Sequence, residues 1–187
     1  MTTGTGTGPG PAAALTAAEL TLPPWEDGDA AALPALLADP EIHRWTSHRP
    51  LRGRGDALRW LAAEHAGRAT GARLGFALLA HDRLAGHVVL KRPGGTGGTG
   101  GTGEVGYWTG AAARGRGLAT RAVALLSAWA LDPCGELGLT RLELVHNAGN
   151  PASCRVAEKA GYRLESLLPP RPPHPQQGHL HTLTRPS

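Results

Sequence analysis

Residues 104–119, EVGYWTGAAARGRGLA, decide the fold of this chain. The first six residues of this stretch favour a β-strand, and a helix is predicted from about Gly117 to Leu131. That helix carries apolar residues at helical spacing, namely Leu118, Ala122, Leu126 and Trp129. A loop containing two glycines and two arginines joins the strand to the helix.

The loop has the residues of an anion site. Gly115 and Gly117 lack a Cβ atom, so a ligand can approach the backbone closely. The first amides of the following helix have no partner within the helix and lie at its positive end. Arg114 and Arg116 add positive charge, and a pyrophosphate would fit. The same residues also suit an ordinary strand–helix turn that binds no ligand and leaves both arginines in solvent. The loop alone therefore leaves both interpretations open.

The rest of the chain extends this unit in both directions, in the order β-α-α-β-β-β-α-β-α-β. The predicted strands are residues 20–22, 73–80, 84–90, 104–109 and 141–145, and one beginning at Tyr162. Helices are predicted after Glu26, from an Asp56 cap, from Gly117, and between an Asn150 cap and Gly161. The alternation indicates an α/β fold with a central mixed sheet and helices on both faces.

Composition divides the chain into one domain and two flanking segments. Residues 1–18 are rich in Thr, Gly, Pro and Ala and are expected to form a disordered leader. Residues 19–168 form the predicted domain, in which residues 94–103 are a flexible Gly/Thr insertion. Residues 169–187 are predicted to be a C-terminal tail containing Pro and His.

Charge and hydropathy exclude several classes of protein. The net charge is +4 and no block of Lys and Arg is present, so no nucleic-acid partner is expected. No apolar run approaches the roughly 18 residues of a membrane helix, and the N-terminus lacks the pattern of a secretory signal. Two cysteines make no disulfide scaffold, which favours a reducing cytoplasm. A monomer or homodimer is expected.

Two motifs resemble the Gcn5-related N-acetyltransferase (GNAT) superfamily. Arg114-x-x-Gly117-x-Ala119 is similar to its acetyl-CoA loop, and residues 150–162, NPASCRVAEKAGY, are similar to its second motif. The sequence around both motifs is most similar to the branch of the family that acetylates the N-termini of ribosomal proteins. The resemblance spans residues 20–168. It implies acetyl-CoA as co-substrate, held between two parallel strands, 104–109 and 141–145, that splay apart.

The resemblance also implies site residues. Those near the cofactor are Trp108, Thr109, Arg114, Gly115, Arg116, Gly117, Leu118, Ala119, Thr120 and Asn150. The Tyr that many members use to protonate the leaving thiolate is replaced by Ala157, and Ser153 is the proposed substitute. Glu104 is the candidate general base, with Glu143 and His146 as further candidates. Ser153 would equally suit the first turn of a helix, and Glu104 a strand edge.

The predicted function is acetyl-CoA-dependent N-acetylation of a primary amine, either a protein N-terminus or a small amine, by direct attack in a ternary complex. A catalytically degenerate acyl-CoA-binding module is the alternative, because the Tyr is missing and the C-terminal end is short. A nucleotide-binding oxidoreductase is the third interpretation, from Gly115-x-Gly117-x-x-Thr120, but it leaves the second motif unexplained.

The remaining reactive residues carry no predicted function. Cys134 and Cys154 lack metal-ligand spacing and are interpreted as small packing residues. His174, His179 and His181 are assigned to a solvated tail, so no metal is expected. Trp45 lies in a stretch that lines the acceptor cavity of the family, although core packing is the simpler interpretation.

Overall fold

A single mixed sheet organises the fold of the computed structural model, which describes residues 14–92, 101–170 and 175–185. Its eight strands lie in the order β1-β2-β3-β4-β5-β6-β8-β7. The strands are β1 Leu15–Ala17, β2 Leu20–Leu22, β3 Arg73–Ala80, β4 Arg83–Lys91, β5 Thr102–Thr109, β6 Arg141–Asn147, β7 Arg163–Leu168 and β8 Gly178–Thr184. The α-helices are α1 Leu33–Leu36, α2 Pro40–Trp45, α3 Arg54–Thr70, α4 Leu118–Ala130 and α5 Pro151–Lys159.

Antiparallel pairing holds most of the sheet together. Strands β1 to β5 pair antiparallel in chain order, and β8 is inserted antiparallel between β6 and β7. Only β5 and β6 are parallel, because α4 crosses over the sheet between them. The mixed α/β fold predicted from the sequence is confirmed.

The sheet separates two hydrophobic cores. Helix α4 packs on one face, where Leu118, Val123 and Leu126 meet apolar residues of β3 to β6. Helices α1 to α3 cover the opposite face with a second cluster that contains Leu33, Ile42, Leu61, Trp25 and Trp108. Among the described residues, no helix is both long and apolar enough to cross a membrane.

Local sequence signals explain several element ends. The β3–β4 hairpin turns at His81 and Asp82, whose φ angles of 49° and 58° suit a two-residue turn. Asn150 caps α5, because its side chain accepts from the Ser153 amide, and Pro151 occupies the first turn. Gly161 follows that helix with a φ of 91°, as its predicted terminal position requires.

The predicted Asp56 cap is wrong. Helix α3 begins at Arg54, two residues earlier, and its N-cap is Gly53. Asp56 instead accepts a hydrogen bond from the Arg52 amide at 2.9 Å and pairs with the Arg52 guanidinium. Helix α2 was not predicted from the sequence, although Asp39 accepts from the Glu41 amide and Pro40 opens the helix, which are ordinary start signals.

Both predicted flanking segments contain strands that belong to the sheet. Strand β1 lies within the predicted leader and pairs with β2. Strand β8 lies within the predicted tail and pairs on both sides, with β6 and β7. Strand β5 also begins at Thr102, inside the predicted insertion. Pairing with a neighbour gives these short segments their conformation, and local composition does not report it. The rest of the insertion up to residue 100, and His174, lie outside the described residues.

Candidate functional site

A cleft opens in the sheet where the parallel ladder between β5 and β6 ends. The two strands pair only from Thr102 to Glu104 and from Arg141 to Glu143. Beyond these residues β5 stays paired with β4, and β6 stays paired with β8. Because each strand keeps only its outer neighbour, main-chain groups along the opening are available to a ligand. The cleft has a volume of about 1480 Å³ and runs from α2 to the first turn of α4.

The loop before α4 forms one end of the cleft. Gly115 and Gly117 have φ angles of 73° and 70°, a region that side chains rarely adopt. A Cβ added at either position would have no atom within 4 Å, so the backbone is open to an approaching group. No side chain caps α4, which leaves the first amides of a 13-residue helix at its positive end.

The two arginines of the loop differ in position. Arg114 lines the cleft, and its guanidinium lies 2.5 Å from Asp39 Oδ2 and donates to the Thr109 carbonyl at 3.2 Å. This ion pair ties the loop to the start of α2. Arg116 is exposed and is not among the residues that line the cleft, so it faces solvent.

A pair of hydroxyl groups lies where α5 meets β5. Ser153, 9% exposed, is in the first turn of α5, and Tyr107 donates a hydrogen bond of 2.9 Å to its Oγ. Both residues line the cleft beside Asn150. Burial raises the pKa of Tyr107, which keeps the phenol protonated at neutral pH.

Sequence reasoning did not find Tyr107. Period-two alternation places it on the same face of β5 as the core residue Val105, and that much is readable from the sequence. Its partner is 46 residues away in the chain, and only the packing of α5 against the sheet brings the two hydroxyls together.

The candidate bases occupy three different settings. Glu104 lines the cleft and is half-exposed, with its carboxylate 2.5 Å from Lys91 Nζ on the neighbouring strand. Glu143 is its register partner on β6, but this carboxylate pairs with Arg141 and does not line the cleft. His146 lines the cleft, and burial lowers its pKa. Its ring packs against His179 and His181.

Aromatic rings line the cleft on the face of the sheet that α1 to α3 cover. The Trp108 ring stacks on His87, with ring centroids 5.6 Å apart, and His87 accepts a hydrogen bond from Trp25 Nε1. His48 lies 6.0 Å from Trp108, and burial, with the charge of Arg73, lowers its pKa to about 4. These rings therefore form an uncharged wall at neutral pH.

Trp45, the last residue of α2, also lines the cleft. Its indole nitrogen donates to Glu41 Oε2 at 3.0 Å, and the Arg44 guanidinium lies 4.7 Å above its ring. Trp45 is partly buried and lines the cleft, so it faces the opening instead of the hydrophobic core.

The fold brings almost all of the sequence-predicted site residues to this cleft. Those that line it are Glu104, Trp108, Thr109, Arg114, Gly115, Gly117, Leu118, Ala119, Thr120, Asn150 and Ser153. Arg116 is the exception. The residues that the sequence did not indicate are Tyr107, Asp39, Lys91 and His48.

Comparison with known proteins agrees with this geometry. A family model described as the acetyltransferase (GNAT) domain matches residues 19–163. No curated protein matches the chain in sequence.

Solved structures of acetyltransferases share the fold. RimL, a ribosomal L7/L12 alpha-N-protein acetyltransferase in complex with coenzyme A, superposes with a TM-score of 0.79 at 13% identity, over 91% of this chain and 97% of that chain. RimJ of Mycobacterium smegmatis gives 0.76 at 20% identity, over 88% and 81%. The microcin C7 self-immunity acetyltransferase MccE, in complex with acetyl-CoA and AMP, gives 0.77 at 18% identity, over 89% and 92%.

Proposed function

Because the chain belongs to the acetyltransferase (GNAT) family, we propose that it transfers an acetyl group from acetyl-CoA to a primary amine. The observation that carries the proposal is the cleft itself. The parallel ladder ends after Glu104, and the open loop before α4 lies along the same cleft. An elongated acyl carrier with a phosphate end matches both features.

The pyrophosphate would bind to the amides of residues 115–120. This end of the cleft combines open glycine backbone with the uncapped start of α4, which attracts an anion. Arg114 is held there by Asp39 and shapes the loop, so the helix amides supply most of the attraction. The pantetheine amides would pair with main-chain groups of β5 near Trp108 and Thr109, where β6 no longer pairs.

The chemical step is direct attack of the amine on the thioester carbonyl. The C–N bond forms, the C–S bond breaks, and the amine loses one proton to the carboxylate of Glu104, directly or through water. The leaving thiolate takes a proton from Ser153 Oγ, and Tyr107 passes its own proton to Ser153 along the 2.9 Å hydrogen bond. This hydroxyl pair replaces the acid that position 157, an alanine, does not supply.

The acceptor would enter on the aromatic side of the sheet, between α2 and β4. The uncharged rings of His48, His87 and Trp108 exclude water from the reacting amine. The carboxylate of Glu41, which lines the cleft and lies 3.5 Å from Arg44 Nη1, would receive the ammonium form of the acceptor, which releases one proton to solvent before it attacks. Both a protein N-terminus and a small amine have this group, and the likeness to RimL, an alpha-N-protein acetyltransferase, favours the protein N-terminus.

A non-catalytic acyl-CoA-binding module remains the rival function. Its support came from the missing Tyr and from the short C-terminal end. The C-terminal end forms strand β8, which pairs on both sides, and Tyr107 supplies a phenol next to Ser153. These two observations weaken both reasons for a non-catalytic module. Turnover with a panel of amines, including peptides with free N-termini, separates the two functions.

Calorimetric titration with acetyl-CoA tests the cofactor site, with NADH as the negative control. We expect saturable binding of acetyl-CoA alone. Gly117→Asp should weaken that binding about tenfold or more, equivalent to about 1.4 kcal/mol, because it places a negative charge beside the pyrophosphate. Gly117→Asn is the matched control, since it imposes the same backbone strain without the charge.

Equal losses in the two variants would mean that backbone strain, and not charge, governs the loop. The pyrophosphate assignment would then be wrong. Binding of acetyl-CoA without turnover on any amine of the panel would favour the non-catalytic module.

A further inference from the structure

Three imidazoles and one thiol converge between α5 and the sheet, beside the cleft. The histidine–cysteine cluster consists of His146 on β6, Cys154 on α5, and His179 and His181 on β8. One ligand atom from each residue lies within 4.8 Å of every other. These residues come from three separate elements, which explains why their spacing in the sequence gave no metal signal.

The register of β8 against β6 creates the cluster. His146 is paired directly with His179, and His181 is two residues further along β8, so both β8 rings lie on one face of the sheet. Cys154 Sγ approaches them from α5, at 3.1 Å from His179 Nδ1 and 3.7 Å from His181 Nε2. Zn–S bonds of about 2.3 Å and Zn–N bonds of about 2.0–2.1 Å in a tetrahedral site place sulfur and nitrogen about 3.5 Å apart, which is close to both of these contacts.

The nitrogens of the cluster are poorly satisfied by the protein. His146 Nδ1 is 2.8 Å from the Asn147 carbonyl, so this nitrogen carries the proton and Nε2 offers a lone pair. That Nε2 atom is buried and has no hydrogen-bond partner among the described residues. His181 is fully buried and turns its Nε2 atom toward Cys154, so Nε2 is the atom that would bind a metal; its Nδ1 atom, which has no hydrogen-bond partner in the described part of the chain, would stay outside the coordination sphere. A buried nitrogen lone pair without a partner is unfavourable, and a metal ion would satisfy the one on His146.

We propose that one zinc ion binds to these four side chains: His146, Cys154, His179 and His181. Three neutral imidazoles and one thiolate suit the borderline-soft character of Zn²⁺ and give a closed tetrahedral site. The Cys154 thiol releases its proton to solvent as the Zn–S bond forms, and no redox step is involved. Tetrahedral bond lengths require nitrogen atoms about 3.3 Å apart, so small side-chain rotations complete the site.

The site is structural. It fastens β8 and β6 to α5, the helix whose first turn carries Ser153 next to Cys154. The C-terminal strand is thereby locked to the wall of the cleft, and metal binding contributes directly to folding stability. A closed set of four protein ligands leaves no position for a substrate.

Metal analysis of the untagged full-length chain tests the proposal. Protein freed of metal with a chelator is titrated with Zn²⁺ against a chromophoric competitor, and Co²⁺ is used in parallel to detect a thiolate-to-metal absorption band. We expect one zinc per chain, a cobalt band, and a higher Tm with zinc bound.

Cys154→Ser should remove the cobalt band and weaken zinc binding by about 100-fold or more. Cys134→Ser is the matched control, because this exposed cysteine lies outside the cluster and should leave all three results unchanged. His179→Gln provides a second ligand variant at a partly exposed position, in case the serine variant does not fold.

Two results would overturn the assignment. One is a wild-type chain that takes up no stoichiometric zinc after metal-free protein is exposed to it. The other is zinc binding of equal strength in wild type, Cys154→Ser and His179→Gln. Neither result bears on the titration with acetyl-CoA. The zinc site and the acetyltransferase function are therefore tested independently.

Discussion

Two tyrosine–serine pairs occur in this chain, and their positions give them different roles. Tyr107 and Ser153 are 2.9 Å apart at the cleft, whereas Tyr162 and Ser127 are 2.7 Å apart beneath α4. Burial raises the pKa of both phenols, and that of Tyr162 reaches about 12. Since the chemistry of the two pairs is the same, only access to the cleft distinguishes a catalytic pair from a packing pair.

Ser153→Ala and Tyr107→Phe should each lower kcat by about tenfold to a hundredfold, because the thiolate loses its proton donor. The Kd for acetyl-CoA should change little, since neither hydroxyl belongs to the phosphate end of the cleft. Steady-state kinetics and calorimetry measure the two quantities on the same preparations.

Tyr162→Phe is the matched control for this pair. It should lower Tm, because a buried hydrogen bond worth about 1 kcal/mol is lost, and it should leave kcat unchanged. If Ser153→Ala behaves like Tyr162→Phe, then Ser153 is a helix-start residue and the proton relay is wrong.

The two carboxylates at the end of the parallel ladder make a second residue-scale comparison. Glu104→Gln should reduce kcat/KM by about a hundredfold, because the amine loses its base. Glu143→Gln should have little effect, since that carboxylate faces Arg141 outside the cleft. Measuring both pH–rate profiles tells them apart. A larger loss in Glu143→Gln would transfer the role of base to β6.

At the scale of elements, the sequence predicted what local signals determine. The two strands predicted at 73–80 and 84–90, the Asn150 cap and the Gly161 terminus all follow from backbone preferences of neighbouring residues. The glycine loop and its helix followed in the same way. Contacts between elements that are distant in the chain cannot be predicted from local sequence signals. The Tyr107–Ser153 pair and strand β8 are therefore seen only in the folded structure.

Strand β8 is the element on which the C-terminal half depends, because it pairs on both sides. Leu180→Pro should lower the free energy of unfolding by about 2 kcal/mol or more, since a proline removes a ladder hydrogen bond from an internal strand. Gln177→Pro, just before the strand, should be tolerated. The Gln177 carbonyl accepts a hydrogen bond from the Ala148 amide, and a proline keeps its carbonyl. Urea denaturation compares the two. Equal stability would mean that β8 is dispensable.

At the scale of the whole molecule, two histidines have pKa values lowered by burial and are uncharged at neutral pH. Burial, followed by the positive charge of Arg73, lowers the pKa of His48 to about 4 and that of His87 well below its usual value. His43 and Lys91 add to the effect on His48. The two rings lie 6.4 Å apart beside the cleft, so a positive charge on either one would be buried, poorly solvated and repelled by Arg73.

Acid should therefore destabilise the fold. Above about pH 6.5 these histidines are neutral in both states, and their contribution to stability is complete. As the pH falls from about 6.5 toward 4, these histidines bind protons in the unfolded chain but remain neutral in the folded chain. The free energy of unfolding then drops by at most about 1.4 kcal/mol per pH unit for each histidine.

Urea denaturation midpoints at pH 7 and pH 5 measure this slope. His48→Gln should reduce it, because the variant removes a group that between pH 7 and pH 5 binds protons mainly in the unfolded chain. His81→Asn is the control, since His81 is exposed in the β3–β4 turn and asparagine accepts its positive φ. A slope that is the same in wild type and His48→Gln would show that other groups cause the acid sensitivity. The ring wall of the cleft would then not depend on a neutral His48.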